Sequence, residues 1–209
     1  MRVLIVSAHP SGESFVAAAR ERVLDAMVEA GHDVRHRDLC AEGFDPVFTE
    51  FERVNHVGDV GVKLARFPEL AGHVEDLRWC EAVVLVYPTW WSGQPAVLKG
   101  WFDRVLMNGV AWELPEGAAR LRPLLSNVRR LVVVTTHGSG KFTNMLEGEA
   151  GKRTAFRSVR LMFSARTRCR WIAMYGLDRS DERARSRFLS RVGRRVVRAL
   201  GRPHRSSTP

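Results

Sequence analysis

The chain alternates short apolar runs with longer stretches in which apolar residues return every three or four positions. Residues 2–7 (RVLIVS), 82–86 (AVVLV), 131–135 (LVVVT) and 171–175 (WIAMY) are the short runs. They are too brief for helices and rich in β-branched residues, so they predict strands covered on both faces. Residues 34–39 (VRHRDL) alternate instead and predict an edge strand with one wet face. Over 15–30, Phe15, Val16, Ala19, Val23, Ala26, Met27 and Ala30 fall on one helical stripe, ended by Gly31. Residues 69–79 predict a second helix. A third starts near Pro95, with Val97, Leu98, Trp101, Phe102, Val105 and Leu106 inward. A last one opens at Ser180-Asp181-Glu182 and turns Phe188, Leu189, Val192, Val196 and Leu200 inward and its arginines outward. Short helices are expected at 49–54 and 143–151, a docking turn at 44–47 and an insertion at 107–126. Right-handed crossovers between five such strands give a doubly wound α/β sheet.

Composition narrows this picture. With 209 residues, the default is one α/β domain over 1–200 and a disordered basic tail over 201–209. No 18-residue apolar run is present, so no membrane span is expected. The opening MRVLIVSAHP has too short an apolar stretch for a signal peptide. Cys40, Cys80 and Cys169 match no zinc or CxxC spacing, which suggests reduced, buried thiols in a cytoplasmic protein. His32 and His36 straddle a turn and a strand and do not form a helical metal pair; no metal site is expected. The net charge of +10 is uneven, with 17 Lys+Arg against 3 Asp+Glu from residue 152 onward. Only 4 of 33 basic residues are lysine, a bias toward arginine that weakens a nucleic-acid reading. A basic rim attracting the phosphates of an anionic cofactor accounts better for the charge.

The chemistry concentrates in three loops that follow predicted strands, at the end of a parallel sheet where ligands bind. The first, AHPSGESF (8–15), leads into a helix capped by Ser14 or Ser11, whose free N–H groups form an anion site. It is not a GxGxxG fingerprint. The second is Thr89-Trp90-Trp91-Ser92-Gly93, two indoles that either plug a core or interface or lie against a flat ligand. The third, Thr136-His137-Gly138-Ser139-Gly140, has small residues that let a ligand approach the backbone. GSGK at 138–141 is not a phosphate-binding loop of the GxxxxGK[ST] type, because position 142 is Phe and position 135 is Thr. Phosphate ligands, aromatics and small polar backbone together suit a flavin.

At these loops the chain resembles the NAD(P)H:quinone oxidoreductase family of flavodoxin-like flavoproteins. The matching segments are AHPSGESF, YPTWWSGQPAVLKGWFDRV and TTHGSG. The resemblance covers roughly residues 2–145 and implies a flavodoxin-like three-layer sandwich with a five-stranded parallel sheet of order 2-1-3-4-5. It implies a homodimer, with His9, Ser14 and Phe15 holding the phosphate end of FAD or FMN. Pro88, Thr89, Trp90, Trp91 and Ser92 would line the ring, and Thr135, Thr136, Gly138 and Ser139 its pyrimidine side. The implied chemistry is ping-pong: NAD(P)H delivers hydride to the flavin, then a small quinone-like acceptor takes it. A flavodoxin-type electron carrier, an azo or nitro reductase and a biosynthetic tailoring reductase are the alternatives.

Departures bear on the chemistry. Mammalian members carry a Tyr/His proton relay after the Gly-rich loop, whereas residues 141–149 here hold neither. His137 would take over that role unless it faces solvent, with Trp91 as the other catalytic candidate. Val16 replaces a frequent Asn, Trp112 or Phe142 would stand for the gating aromatics, and the insertion at 107–126 would cover an adenine if the cofactor is FAD.

Overall fold

The computed structural model describes residues 1–201, so positions 202–209 of the expected basic tail lie outside the described residues. The strands are β1 (Arg2–Ser7), β2 (Asp33–Asp38), β3 (Ala82–Pro88), β6 (Arg130–Thr136) and β7 (Arg168–Met174), and a hairpin of β4 (Trp112–Glu113) and β5 (Arg122–Pro123) lies apart. The helices are α1 (Phe15–Glu29), α2 (Glu50–Val54), α3 (Val60–Arg66), α4 (Ala71–Trp79), α5 (Ala96–Val105), α6 (Lys141–Leu146), α7 (Ala150–Arg153) and α8 (Glu182–Leu200). The main sheet is parallel throughout, in the order β2-β1-β3-β6-β7. This is the expected flavodoxin-like arrangement.

Each continuous apolar strand feeds two cores, because successive side chains point to opposite faces. Val3, Ile5, Val84, Val86, Val132, Val134 and Ile172 meet α1 and α8 on one side. Leu4, Val6, Leu85, Tyr87, Leu131 and Val133 meet α4 and α5 on the other. On the first side a Cβ at Gly193 of α8 would sit 2.7 Å from the Arg22 carbonyl oxygen, so only glycine lets the two helices approach this closely. On the second, the turn at 44–47 docks on α5: a Cβ at Gly100 would lie 2.3 Å from the Pro46 carbonyl oxygen. Beneath that turn the buried Arg104 donates from Nε to Glu52 (2.8 Å) and from Nη1 to the Asp45 carbonyl (2.8 Å). Glu52 also closes a capping box with Thr49 at the start of α2.

Several details depart from the pattern reading. The last strand begins at Arg168 rather than Trp171, because pairing with β6 extends it through exposed arginines. The single helix expected at 143–151 is α6 and α7 separated by a left-handed Glu149. The helix α3, capped by Asp59, packs Val60 and Leu64 against the core, but its apolar positions 60, 62 and 64 alternate in sequence, so a helix was not legible there. Only Cys80 is fully buried, its thiol pushed up to about 12 by burial; Cys40 and Cys169 are half-buried. The arginines of α8 do face outward. No helix among the described residues is long and apolar enough to cross a membrane.

Arg104→Met strands the Glu52 carboxylate in the core and lowers the unfolding free energy by about 3–5 kcal/mol in a urea titration. A loss below about 1 kcal/mol would show that Glu52 finds another partner. His73 is buried, accepts the Trp101 indole N–H at 3.2 Å, and is pushed down to about 4, chiefly by burial and then by Arg37. Its unfolded form takes up a proton from about pH 6.5 downward while the folded form resists until about 4. Stability is therefore full above pH 6.5 and declines toward pH 4, by on the order of 3 kcal/mol. His73→Gln, which keeps an acceptor for Trp101, should flatten this slope in thermal melts; an unchanged slope would refute the assignment.

Candidate active site

Parallel strands place every carboxyl end on one edge, and the three loops read from the sequence meet there. Backbone bonds stitch them together: the Ala8 N–H donates to the Val86 carbonyl (3.1 Å), Thr89 to Thr136 (2.8 Å) and His137 to Met174 (2.8 Å). Rings also span the gap, with His9 and Trp90 at 6.1 Å between centroids.

At the first loop Ser14 caps α1, its Oγ accepting the Ala17 N–H at 3.1 Å. The next free donors, the N–H groups of Phe15 and Val16, open the helix without an acceptor among the described residues, as an anion site requires. The His9 Nδ1 is tied to the Ser11 backbone at 3.0 Å, leaving Nε2 available to the loop. The Phe15 ring packs on Phe188 (5.9 Å), so Phe15 can serve a phosphate through its N–H and not its side chain. Val16 is core.

The second loop is a tight turn closed by reciprocal bonds between Trp90 and Gly93 (3.2 and 3.0 Å). Its two central residues, Trp91 and Ser92, are left-handed, with φ of +48° and +58°. Turns of this kind favour Asn-Gly, and each non-glycine residue here costs about 1 kcal/mol. Three bonds hold the strain in place. Ser92 Oγ donates to Glu147 (2.6 Å), the Gly151 N–H donates to the Ser92 carbonyl (2.8 Å), and Gln94 Nε2 donates to the Gly151 carbonyl (2.8 Å). The result is an indole presented wholly to solvent: Trp91 is 103% exposed and Trp90 46%. Neither ring plugs the core of this chain.

The third loop runs underneath. Thr135 and Thr136 are buried and reach the surface through Thr89, whose hydroxyl lies 3.0 Å from the Thr135 hydroxyl. His137 is buried rather than solvent-facing, and burial lowers its pKa from the ordinary histidine value against weaker opposing pulls from Asn144, Glu149 and Glu147. The N–H groups of Gly138 and Ser139 take no acceptor among the described residues. A recess of about 240 Å³ lies over these groups, lined by Thr89, Trp91, Ser92, His137, Gly138, Ser139, Asn144 and Glu147. Asn144, Glu147 and Tyr175, which stacks on His137, were missed by sequence reasoning. Tyr175 was findable, since it directly follows the last parallel strand on the same edge. Asn144 and Glu147 belong to a short helix with no recognisable spacing. The insertion at 107–126 folds back on the far end of α5, where the Trp112 indole N–H donates to the Leu106 carbonyl (2.8 Å). Some 15 Å of helix thus separates it from the rim of its own chain. Trp112 is buried, while Phe142 stands exposed at the start of α6.

Fold and rim together define a doubly wound flavodoxin-like protein with a candidate ligand site at the carboxyl edge of its sheet. The flavodoxin-like fold family matches residues 1–196, and the chain belongs to it. It is 30% identical over 156 residues to NAD(P)H dehydrogenase (quinone) 1 of Rattus norvegicus, covering 69% of this chain and 56% of that protein. The chain thus spans little more than half the length of the first curated relatives it matches. A solved structure from Streptococcus mutans UA159 superposes with a TM-score of 0.78 at 26% identity, covering 93% of this chain and 97% of that one. The NAD(P)H:quinone oxidoreductase of Methanothermobacter marburgensis does so at 0.77 and 25% identity, covering 98% and 99%.

Because the Trp91 ring touches nothing, Trp91→Ala should change the unfolding free energy by less than about 0.5 kcal/mol. A larger loss in a denaturant titration would mean that the ring supports the fold.

Proposed function

We propose that this protein is a flavin-dependent NAD(P)H oxidoreductase acting on a quinone or a similar small aromatic acceptor. The observation that carries the reading is the convergence, on one sheet edge, of free helix N–H donors, an indole held out on a strained turn, and a buried histidine. The oxidoreductases named above, similar to this chain, support it. The residues fit a flavin: an anion end at His9 and the N–H groups of Phe15 and Val16, and a flat-ring end at Trp91. When bound, the flavin supplies the hydride-accepting and hydride-donating chemistry.

The chain's own groups do the rest. His9, the Ser14 cap and the Phe15 N–H hold the phosphate or pyrophosphate of FMN or FAD. Pro88, Thr89, Trp90, Trp91 and Ser92 orient the ring, with Trp91 as the stacking face. The Gly138 and Ser139 N–H groups donate to the negative charge that arrives with the hydride, where preorganised dipoles act most strongly. Thr135 and Thr136 brace Thr89 from below. Nicotinamide and then the acceptor would approach the ring held in the recess one after the other, as a ping-pong cycle requires.

The rim also carries Phe142, Met145 and Leu146, all exposed. A second apolar groove of about 420 Å³ lies between Leu106, Trp112, Leu114, Leu121 and Met162. Exposed apolar surface of this kind marks association sites, and a homodimer that covers both patches is part of the proposal, as is a cytoplasmic location with access to NAD(P)H.

An anaerobic absorbance spectrum of protein reconstituted with FMN and with FAD, before and after NAD(P)H, tests the reading. Bound flavin that is bleached by NAD(P)H and restored by a quinone supports it; flavin that NAD(P)H does not bleach makes the protein a carrier instead. Trp91→Ala should lose bound flavin, by about tenfold or more in affinity, while remaining folded. Full retention of flavin and turnover would remove Trp91 from the site.

A further inference from the structure

Behind the rim, one polar cluster is more tightly specified than ligand contact alone requires. The His137 ring is held on three sides. Nδ1 lies 2.6 Å from Asn144 Oδ1, Nε2 lies 3.4 Å from Thr89 Oγ1, and Tyr175 stacks on the ring at 4.5 Å with an interplanar angle of 16°.

The neighbours of Asn144 settle which of its atoms faces the histidine. Its amide nitrogen sits among Ser139 Oγ (2.9 Å), the Gly140 carbonyl (2.9 Å) and the Ser139 carbonyl (3.3 Å). Carbonyls only accept, so the NH₂ group belongs on that side and Oδ1 faces the ring. An amide oxygen also only accepts, so Nδ1 must carry the proton. In the neutral ring Nε2 is then left with its lone pair toward Thr89. That contact is long for a hydroxyl bond, and Thr89 has a shorter partner in Thr135 at 3.0 Å. One end of the imidazole is saturated and the other is underused.

We infer that Asn144 is a positioning residue that fixes the His137 proton on Nδ1, leaving Nε2, with Thr89 Oγ1, as the proton-handling end of the rim. The inference rests on the oxidoreductase reading. Converting a quinone to a hydroquinone adds one hydride and one proton. The hydride originates in NAD(P)H; the proton enters from water onto Nε2 and leaves to the acceptor's oxyanion. Neutral His137 is ready to take that proton when negative charge arrives in the recess, and Tyr175 offers its face to the resulting imidazolium. The charged groups that act on the ring are Glu149 and Glu147 on the α6–α7 side, both acidic and both favouring uptake, while Asp178 lies beside Gly138.

The test uses the full chain, ¹⁵N-labelled at histidine, with the His137→Gln spectrum identifying the signals. Two-bond ¹⁵N–¹H correlation of the flavin-free protein should show His137 neutral with its proton on Nδ1. Asn144→Leu should give mixed tautomers. With flavin content unchanged, that variant should lose about tenfold or more in quinone turnover and alter its pH profile. Asn144→Asp keeps the acceptor, so it should restore the tautomer and raise the His137 titration midpoint by about one unit or more. It also serves as the readout if the leucine variant does not fold. A proton on Nε2 in the parent protein, or a leucine variant that keeps both tautomer and pH profile, overturns the inference. A protein that binds no flavin would sink the proposed function, while the tautomer spectra would still decide the role of Asn144.

Discussion

The structure depends on β1 and β3 lying side by side, hydrogen-bonded and buried on both faces. A tight turn cannot join strands that pair in parallel, because the chain leaves one at its carboxyl end and must enter the next at its amino end. Each must leave the sheet through a helix and re-enter from the same end. All carboxyl ends therefore fall on one edge, and the loops after β1, β3 and β6 have nowhere else to go. The site is a consequence of the parallel pairing before it is a consequence of any particular side chain.

Having brought the loops together, the fold holds them rigidly where rigidity has a use. The turn at Trp91-Ser92 is the clearest case. Two left-handed residues are unfavourable locally, yet bonds from Glu147, Gly151 and Gln94 keep them there. Strain of this type persists only where the surroundings over-determine it. What it secures is an indole pointing into solvent beside a recess. The same α6–α7 segment that ties down this turn also delivers Asn144 to His137, so one short element organises two of the three loops.

The electrostatics of the rim have a consistent sense. Free N–H groups at the start of α1 and at Gly138-Ser139 offer positive potential toward the rim. Burial keeps His137 neutral in the resting state, while acidic neighbours leave it able to charge when its surroundings change. Deeper in the fold, burial pushes His73 down to about 4, and Arg104 is tied to Glu52 and the Asp45 carbonyl. Both lie away from the three rim loops, and their bonds join the helices on that side of the sheet.

Local pattern carried a large part of this protein. Uninterrupted β-branched runs such as 2–7 and 82–86 dictate two-faced burial, and that burial dictates a parallel sheet and its edge. The Ser14 cap, the helical stripe of α1 and the Trp loop were legible for the same reason, since each is a property of a few consecutive residues. The resemblance of the three loop motifs added the family, which the fold and comparisons bear out. What sequence could not decide is which side chains meet across the edge. The burial of His137, its stacking on Tyr175 from the loop after β7 and its bond to Asn144 from a helix with no periodic signature all depend on distances between elements. So does the placement of the 107–126 hairpin at the far end of α5, away from the rim of its own chain. Periodicity reports the environment of a residue along its own element; only the packed sheet decides its neighbours from the others.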